Sequence, residues 1–132
     1  QSIYEPGSVI KPVIMSGALE EHAVTPDTTY TDTGEVKFGT YTIRNFDEKA
    51  HGVQTMSQVI ANSLNTGMVF VARALGKEKQ FDYFKRFGFG QKTGIDLPGE
   101  LNGNISSLNE RKDLNYAHKL LSIYALLFYV QI

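Results

Sequence analysis

Cysteine is missing from all 132 residues, which excludes disulfides and thiolate metal sites and leaves an oxidising compartment open. Neither sign of charge prevails: 13 Lys plus Arg stand against 14 Asp plus Glu. No basic run interleaves with aromatics, so nucleic acid is not an expected partner. The histidines His22, His51 and His118 are scattered without ligand spacing, and no metal site is expected from them. The apolar run from Leu120 to Val130 is too short to cross a bilayer, which takes about 20 apolar residues. A core-packing helix, or an aggregation-prone or partner-binding end, fits it better. Gln1 opens no signal peptide, and internal repeats are lacking. A chain of this length buries one modest core and forms at most one domain.

What is present is concentrated near the start. Tyr4-Glu5 lead into a Pro6-Gly7 turn, and apolar residues at helical spacing begin at Ser8. Lys11 follows three residues later, on the same face of a helix. A serine hydroxyl is a poor nucleophile until a base takes its proton, and a lysine whose pKa is lowered by burial can be that base. Amides at a helix N-terminus favour a developing oxyanion. The geometry fits acyl transfer. A Ser-x-x-Lys tetrapeptide alone also describes many ordinary helix starts, but here a sharp entry turn precedes it, and Pro12 falls where a missing N–H costs little.

Ser8 to about His22 reads as a helix with Ile10, Ile14, Ala18 and Leu19 on its apolar stripe. Residues 24–34 read as a loop in which Asp27 and Asp32 make Asx-turns. Residues 36–38 and 41–43, separated by Gly39-Thr40, form a short hairpin, and Asn45 to Gly52 a polar loop. Thr55 or Ser57 caps a helix running to about Ser63. Asn65-Thr66-Gly67 interrupts it, and Met68 to Leu75 is helical again. Lys79 to Phe87 forms a further helix, with Phe81, Phe84 and Phe87 on a shared face and Phe89 among the core aromatics; Gly88-Phe89-Gly90 terminates it. Loop follows to Asp113. Ser63 and Asn65 thus bracket a helix break. They are either a helix end and the next cap or a pair of polar groups facing a cleft.

Together these blocks resemble the transpeptidase domain of penicillin-binding proteins, of the monofunctional class B type that cross-links peptidoglycan. The likeness rests on Tyr4-Glu5-Pro6-Gly7-Ser8 with Lys11-Pro12, on Ser63-Leu64-Asn65 followed by Gly67, and on Phe87 to Gly90 with Thr93 to Glu100. It spans residues 3–117. It implies a mainly α chain with a short β-hairpin, the helical part of the fold shared with serine β-lactamases, missing the downstream sheet strands. It also implies that Ser8 attacks the penultimate D-alanine carbonyl of a stem peptide, or a β-lactam amide, while Lys11 accepts its proton. Ser63 would relay a proton to the leaving amine, and Asn65 would hydrogen-bond Lys11 or the substrate amide. The Ser8 N–H would be half of the oxyanion hole. No cofactor is implied. Stem peptides, β-lactams and cell-wall synthesis proteins are the implied partners. The implied location is the outer face of the bacterial cytoplasmic membrane, with anchoring through an upstream segment missing from this chain.

Two departures qualify this. The family's Lys-Thr/Ser-Gly triplet lies on an edge strand far downstream, and Lys92-Thr93-Gly94 matches its letters in the wrong place, as a solvated loop. From His118 the chain also leaves the family pattern. Residues 1–117 are therefore expected to be a partial transpeptidase domain, and 118–132 a divergent apolar tail. One hypothesis is a frameshift, tested by whether another frame of the coding DNA recovers a Ser-Phe-Gly continuation. The expectation is a fragment of a serine-type D,D-transpeptidase that is not competent alone. The alternatives are a β-lactam sensor or a D,D-carboxypeptidase or serine β-lactamase relative, although no deacylating glutamate can be assigned.

Overall fold

A computed structural model of the chain describes residues 7–38, 41–96, 99–103 and 105. The Tyr4-Glu5-Pro6 lead, the Gly39-Thr40 connection and the tail expected from His118 lie outside the described residues.

A 3-10 turn, Gly7–Ile10, runs directly into α1, Lys11–Glu20. The expected helix from Ser8 therefore starts as a tighter turn, and Ser8 lies one turn before regular α geometry. Pro12 occupies the first turn of α1, where no carbonyl partner is lost. Ile10, Ile14 and Ala18 are buried as the stripe requires, with Met15 beside them. Leu19, expected on that stripe, is 36% exposed instead. Gly17 lets α1 approach α4, Lys77–Arg86: a Cβ there would lie 2.8 Å from Tyr83 Cγ.

Among the described residues, four short strands follow α1. Strands β2, Glu35–Phe38, and β3, Tyr41–Arg44, form the expected antiparallel hairpin, with Glu35 opposite Arg44 and Val36 opposite Ile43. The other pair, β1 (Thr29–Asp32) and β4 (Gly52–Thr55), pairs antiparallel from Thr29↔Thr55 to Asp32↔Gly52. The first was expected to be loop, and at the second no strand was expected between the loop ending at Gly52 and the cap at Thr55 or Ser57. Four residues each, bordered by Asp, Gly and Pro, carry little local signal, and their pairing joins residues from Asp32 with Gly52 to Thr29 with Thr55, far apart along the chain, which no local pattern records.

Thr55 ends β4 and caps α2, Met56–Ala61, in a reciprocal capping box with Gln58. That fixes the chain's turn from sheet to helix. Helix α3 begins at Asn65 and runs to Leu75, so Asn65-Thr66-Gly67 opens this helix rather than interrupting one. Met68, Val69, Val71, Ala72 and Leu75 bury its inner face against α1 and α2. Gly76, with φ +82°, turns the chain straight into α4. Phe84 is fully buried, and Phe89 meets it edge-on at 5.4 Å, while Phe87 is 55% exposed. Each fully buried Ile or Phe in this core contributes about 1.5–3 kcal/mol.

Candidate active site

Burial of a lysine is costly unless its ammonium finds acceptors, and Lys11 is only 2% exposed. Its Nζ donates to the Ser63 carbonyl at 2.6 Å, to Ser63 Oγ at 2.9 Å and to Asn65 Oδ1 at 2.7 Å. An ammonium has three protons, and these three acceptors engage all of them. Burial pulls the Lys11 pKa down from 10.5 to about 8, so a neutral amine is accessible near physiological pH.

Ser63 owes its place to the end of α2. Its backbone is left-handed, φ +52°, and its N–H bonds Ile60 O while Leu64 N–H bonds Val59 O. That pair of bonds defines a helix end whose left-handed position glycine usually fills. Here the same turn brings both the carbonyl and the hydroxyl of one serine onto Lys11 Nζ. Asn65 opens α3 directly after an N-cap, Leu64, that provides no side-chain capping bond. Its Nδ2 donates to Arg44 O at 2.8 Å, across to β3. A donor-only lysine on one side and an acceptor-only carbonyl on the other fix which way this amide points. Two residues on, Gly67 admits α2: a Cβ there would be 2.5 Å from Val59 Cγ2 and 2.9 Å from Tyr30 Oη.

Lys11, Ser63 and Asn65 thus converge, although 52 and 54 residues separate the lysine from the other two. Ser8 sits exposed on the 3-10 turn that leads into Lys11, its neighbour Val9 being 69% exposed. Lys92-Thr93-Gly94 lies in no strand: the Glu100 carboxylate accepts from the Thr93 N–H and hydroxyl and from the Gly94 N–H. Among the described residues no group of three His, Asp or Glu is placed to hold a metal ion, and no helix is long and apolar enough to cross a membrane.

Sequence reasoning overlooked the groups behind this cluster. Asp32, read as a turn former, does accept from Gly34 N–H at 2.9 Å. It is also 2% exposed and bonded to Thr66 and Asn45. A turn-rich segment gives no hint that one of its aspartates is buried.

The likeness extends along most of the chain. A family model described as the penicillin-binding protein transpeptidase domain matches residues 1–124. Stage V sporulation protein D of Bacillus subtilis is 46% identical over 108 residues, 81% of this chain and 17% of that protein. Peptidoglycan D,D-transpeptidase MrdA of Acinetobacter baumannii is 34% identical over 105 residues, 78% of this chain and 16% of that one. The penicillin-binding protein 2 in its Helicobacter pylori complex with MreC superposes with a TM-score of 0.80 at 26% identity, covering 98% of this chain and 25% of that one. The chain therefore spans about a sixth of the length of the curated relatives it matches. Over the residues it shares with them, it belongs to the penicillin-binding protein transpeptidase family.

Proposed function

We propose that this chain carries the nucleophile half of a peptidoglycan D,D-transpeptidase site, with Ser8 as nucleophile and Lys11, Ser63 and Asn65 as its proton-handling group. The observation that carries the reading is the buried Lys11 amine held by Ser63 and Asn65.

The chemistry follows from which partners can reverse. The Ser63 carbonyl and Asn65 Oδ1 only accept, so they hold two N–H bonds of the amine in either charge state. The third position faces the Ser63 hydroxyl, which can accept from an ammonium or donate to a lone pair. Turned from the Ser63 hydroxyl to Ser8, the lone pair of a neutral Lys11 takes the Ser8 proton as Ser8 Oγ bonds to the carbonyl carbon of the penultimate D-alanine. The C–N bond to the terminal D-alanine breaks, and the proton passes through Ser63 to the departing amine. An amino group of a second stem peptide then attacks the ester, its proton returns by the same route, and Ser8 is released as the cross-link forms. A β-lactam amide enters the first step in the same way and leaves a penicilloyl ester on Ser8.

The oxyanion's second donor and the substrate's edge strand belong, by the family resemblance, to a downstream Lys-Thr/Ser-Gly strand, and Lys92-Thr93-Gly94 is engaged elsewhere. Losing one oxyanion donor lowers rates by about 10²–10³. The chain alone is accordingly proposed to be inactive. Its place would be the outer face of the cytoplasmic membrane, with cell-wall assembly proteins as partners, as the MreC complex illustrates for that protein.

Incubation with a fluorescent penicillin, followed by peptide mapping, tests this. A version extended through the triplet-bearing strand should carry a stable adduct on Ser8, and its Ser8→Ala variant none. Labelling that survives Ser8→Ala would refute the assignment. Rapid release of hydrolysed drug would indicate a β-lactamase instead.

A further inference from the structure

Behind the lysine cluster lies a second polar group that the proton-transfer chemistry does not use. Asp32, at the end of β1, is 2% exposed and receives four hydrogen bonds. Oδ1 accepts from Gly34 N–H at 2.9 Å and from Thr66 Oγ1 at 2.7 Å. Oδ2 accepts from Asn45 Nδ2 at 2.7 Å and from His51 N–H at 3.2 Å. Three of these partners, two backbone amides and a carboxamide N–H, can only donate, so both oxygens act as acceptors.

The placement of those partners sets Asp32 apart from an ordinary loop tie. Asn65 is held by two things: its backbone in the first turn of α3, and the Arg44 carbonyl that accepts from its Nδ2 at 2.8 Å. Thr66 adjoins the first, Asn45 adjoins the second, and Asp32 bonds both. Thr66 and Asn45 are also joined directly, Thr66 N–H donating to Asn45 Oδ1 at 3.3 Å. Because the Thr66 hydroxyl donates to Asp32, its oxygen is free to accept from Tyr30 Oη, 3.2 Å away. Burying a carboxylate carries a desolvation penalty of several kcal/mol. Two residues could be linked more cheaply by apolar packing, but apolar groups could not fix the direction of an amide.

We propose that Asp32 is a positioning residue for the active site: one buried carboxylate holds both the helix start and the strand-end carbonyl that aim Asn65 Oδ1 at Lys11. The inference deepens the proposed function, since it takes Asn65 to belong to the proton-handling group. Its test reads the position of Asn65 and needs no acylation, so failure of Ser8 to react would leave the result intact.

The chain labelled with ¹⁵N is examined for hydrogen exchange at Asn65 Nδ2, compared with the backbone N–H of Val71 farther along α3. Asp32→Asn puts a donor against donors on one side of the carboxylate site. It is expected to speed exchange at Asn65 Nδ2 by about tenfold or more relative to Val71, as local opening does. The exchange of roles in Asp32→Asn with Asn45→Asp restores a donor facing an acceptor between the two positions but leaves the Lys49 carbonyl and the His51 N–H unmatched, so part of the protection should return. Phe84→Leu, which loosens the core at α4, should leave the ratio unchanged. If Asp32→Asn does not fold, Thr66→Val removes one donor at nearly constant shape and should raise the same ratio. An unchanged ratio in the folded Asp32 or Thr66 variant overturns the proposal. So does an equal rise in Phe84→Leu, which would make the ratio a report on global stability.

Discussion

Three described helix ends share one backbone design, around His22, Ser63 and Gly88, and two of them differ instructively in what occupies it. Helix α4 closes with Gly88 at φ +85°, its N–H on Lys85 O and the next N–H on Phe84 O. Helix α2 closes with the same two bonds around Ser63 at φ +52°. At Gly88 a Cβ would meet nothing within 4 Å, so glycine is there for its φ alone. At Ser63 a non-glycine residue holds a conformation costing roughly 1–3 kcal/mol. It is offset by a carbonyl and a hydroxyl that both bond Lys11. At Ser63, unlike at Gly88, the left-handed position therefore also carries a side chain that bonds Lys11.

The largest expected effect breaks that contrast or sustains it. In the version extended through the triplet strand, Ser63→Ala should slow Ser8 acylation about 10²–10⁴-fold, the usual worth of a proton-transfer group. Ser63→Gly should slow it equally, because the hydroxyl is what matters. A Gly variant close to wild type in penicillin labelling would show that the backbone turn suffices. Next in size is Gly67→Ala, which must push α2 from α3 at the Val59 contact and should lose about 1–3 kcal/mol in urea unfolding. A loss under about 0.5 kcal/mol, the range of neutral surface changes, would mean the helices yield freely. Smaller again, Ser63→Gly should be about 1 kcal/mol more stable than Ser63→Ala, and Gly88→Ala about 1–2 kcal/mol less stable than wild type, since both compare Cβ with none in the left-handed region. Thermal melts of the three variants check this. Smallest is Lys92→Ala, expected within about 0.5 kcal/mol of wild type and without effect on labelling, because that triplet is a loop tied to Glu100.

Helix content, the β2–β3 hairpin and the helix break at 63–65 were legible because each is written in local spacing. The β1–β4 pair was not, because it depends on a partner strand far along the chain. The start of α3 was misjudged for a related reason. Asn and Gly read as breakers, yet Asn65 sends its side chain to Lys11 and Arg44, and Gly67 is required by close packing against Val59. Ser8 and Lys11 were singled out by chemistry and spacing. Ser63 and Asn65 were singled out only through the family pattern. Asp32 was legible as a turn former, but its buried bonds to Asn45 and Thr66 gave no signal, since they exist only once three distant segments meet.

The central physical claim is that burial holds the Lys11 amine ready to lose its proton, with the pKa brought from 10.5 to about 8. In the unfolded chain the group keeps its ordinary value, so between about pH 8 and 10.5 the unfolded state binds more protons. The Lys11 contribution therefore opposes folding fully below the lower value and is relieved as pH rises through that window. Titration of the Lys11 side chain by ¹³C and ¹⁵N NMR in the folded chain measures this directly. A midpoint near 8 is the result the geometry predicts; a midpoint near 10.5 would mean a solvated ammonium and would contradict the role assigned to Lys11.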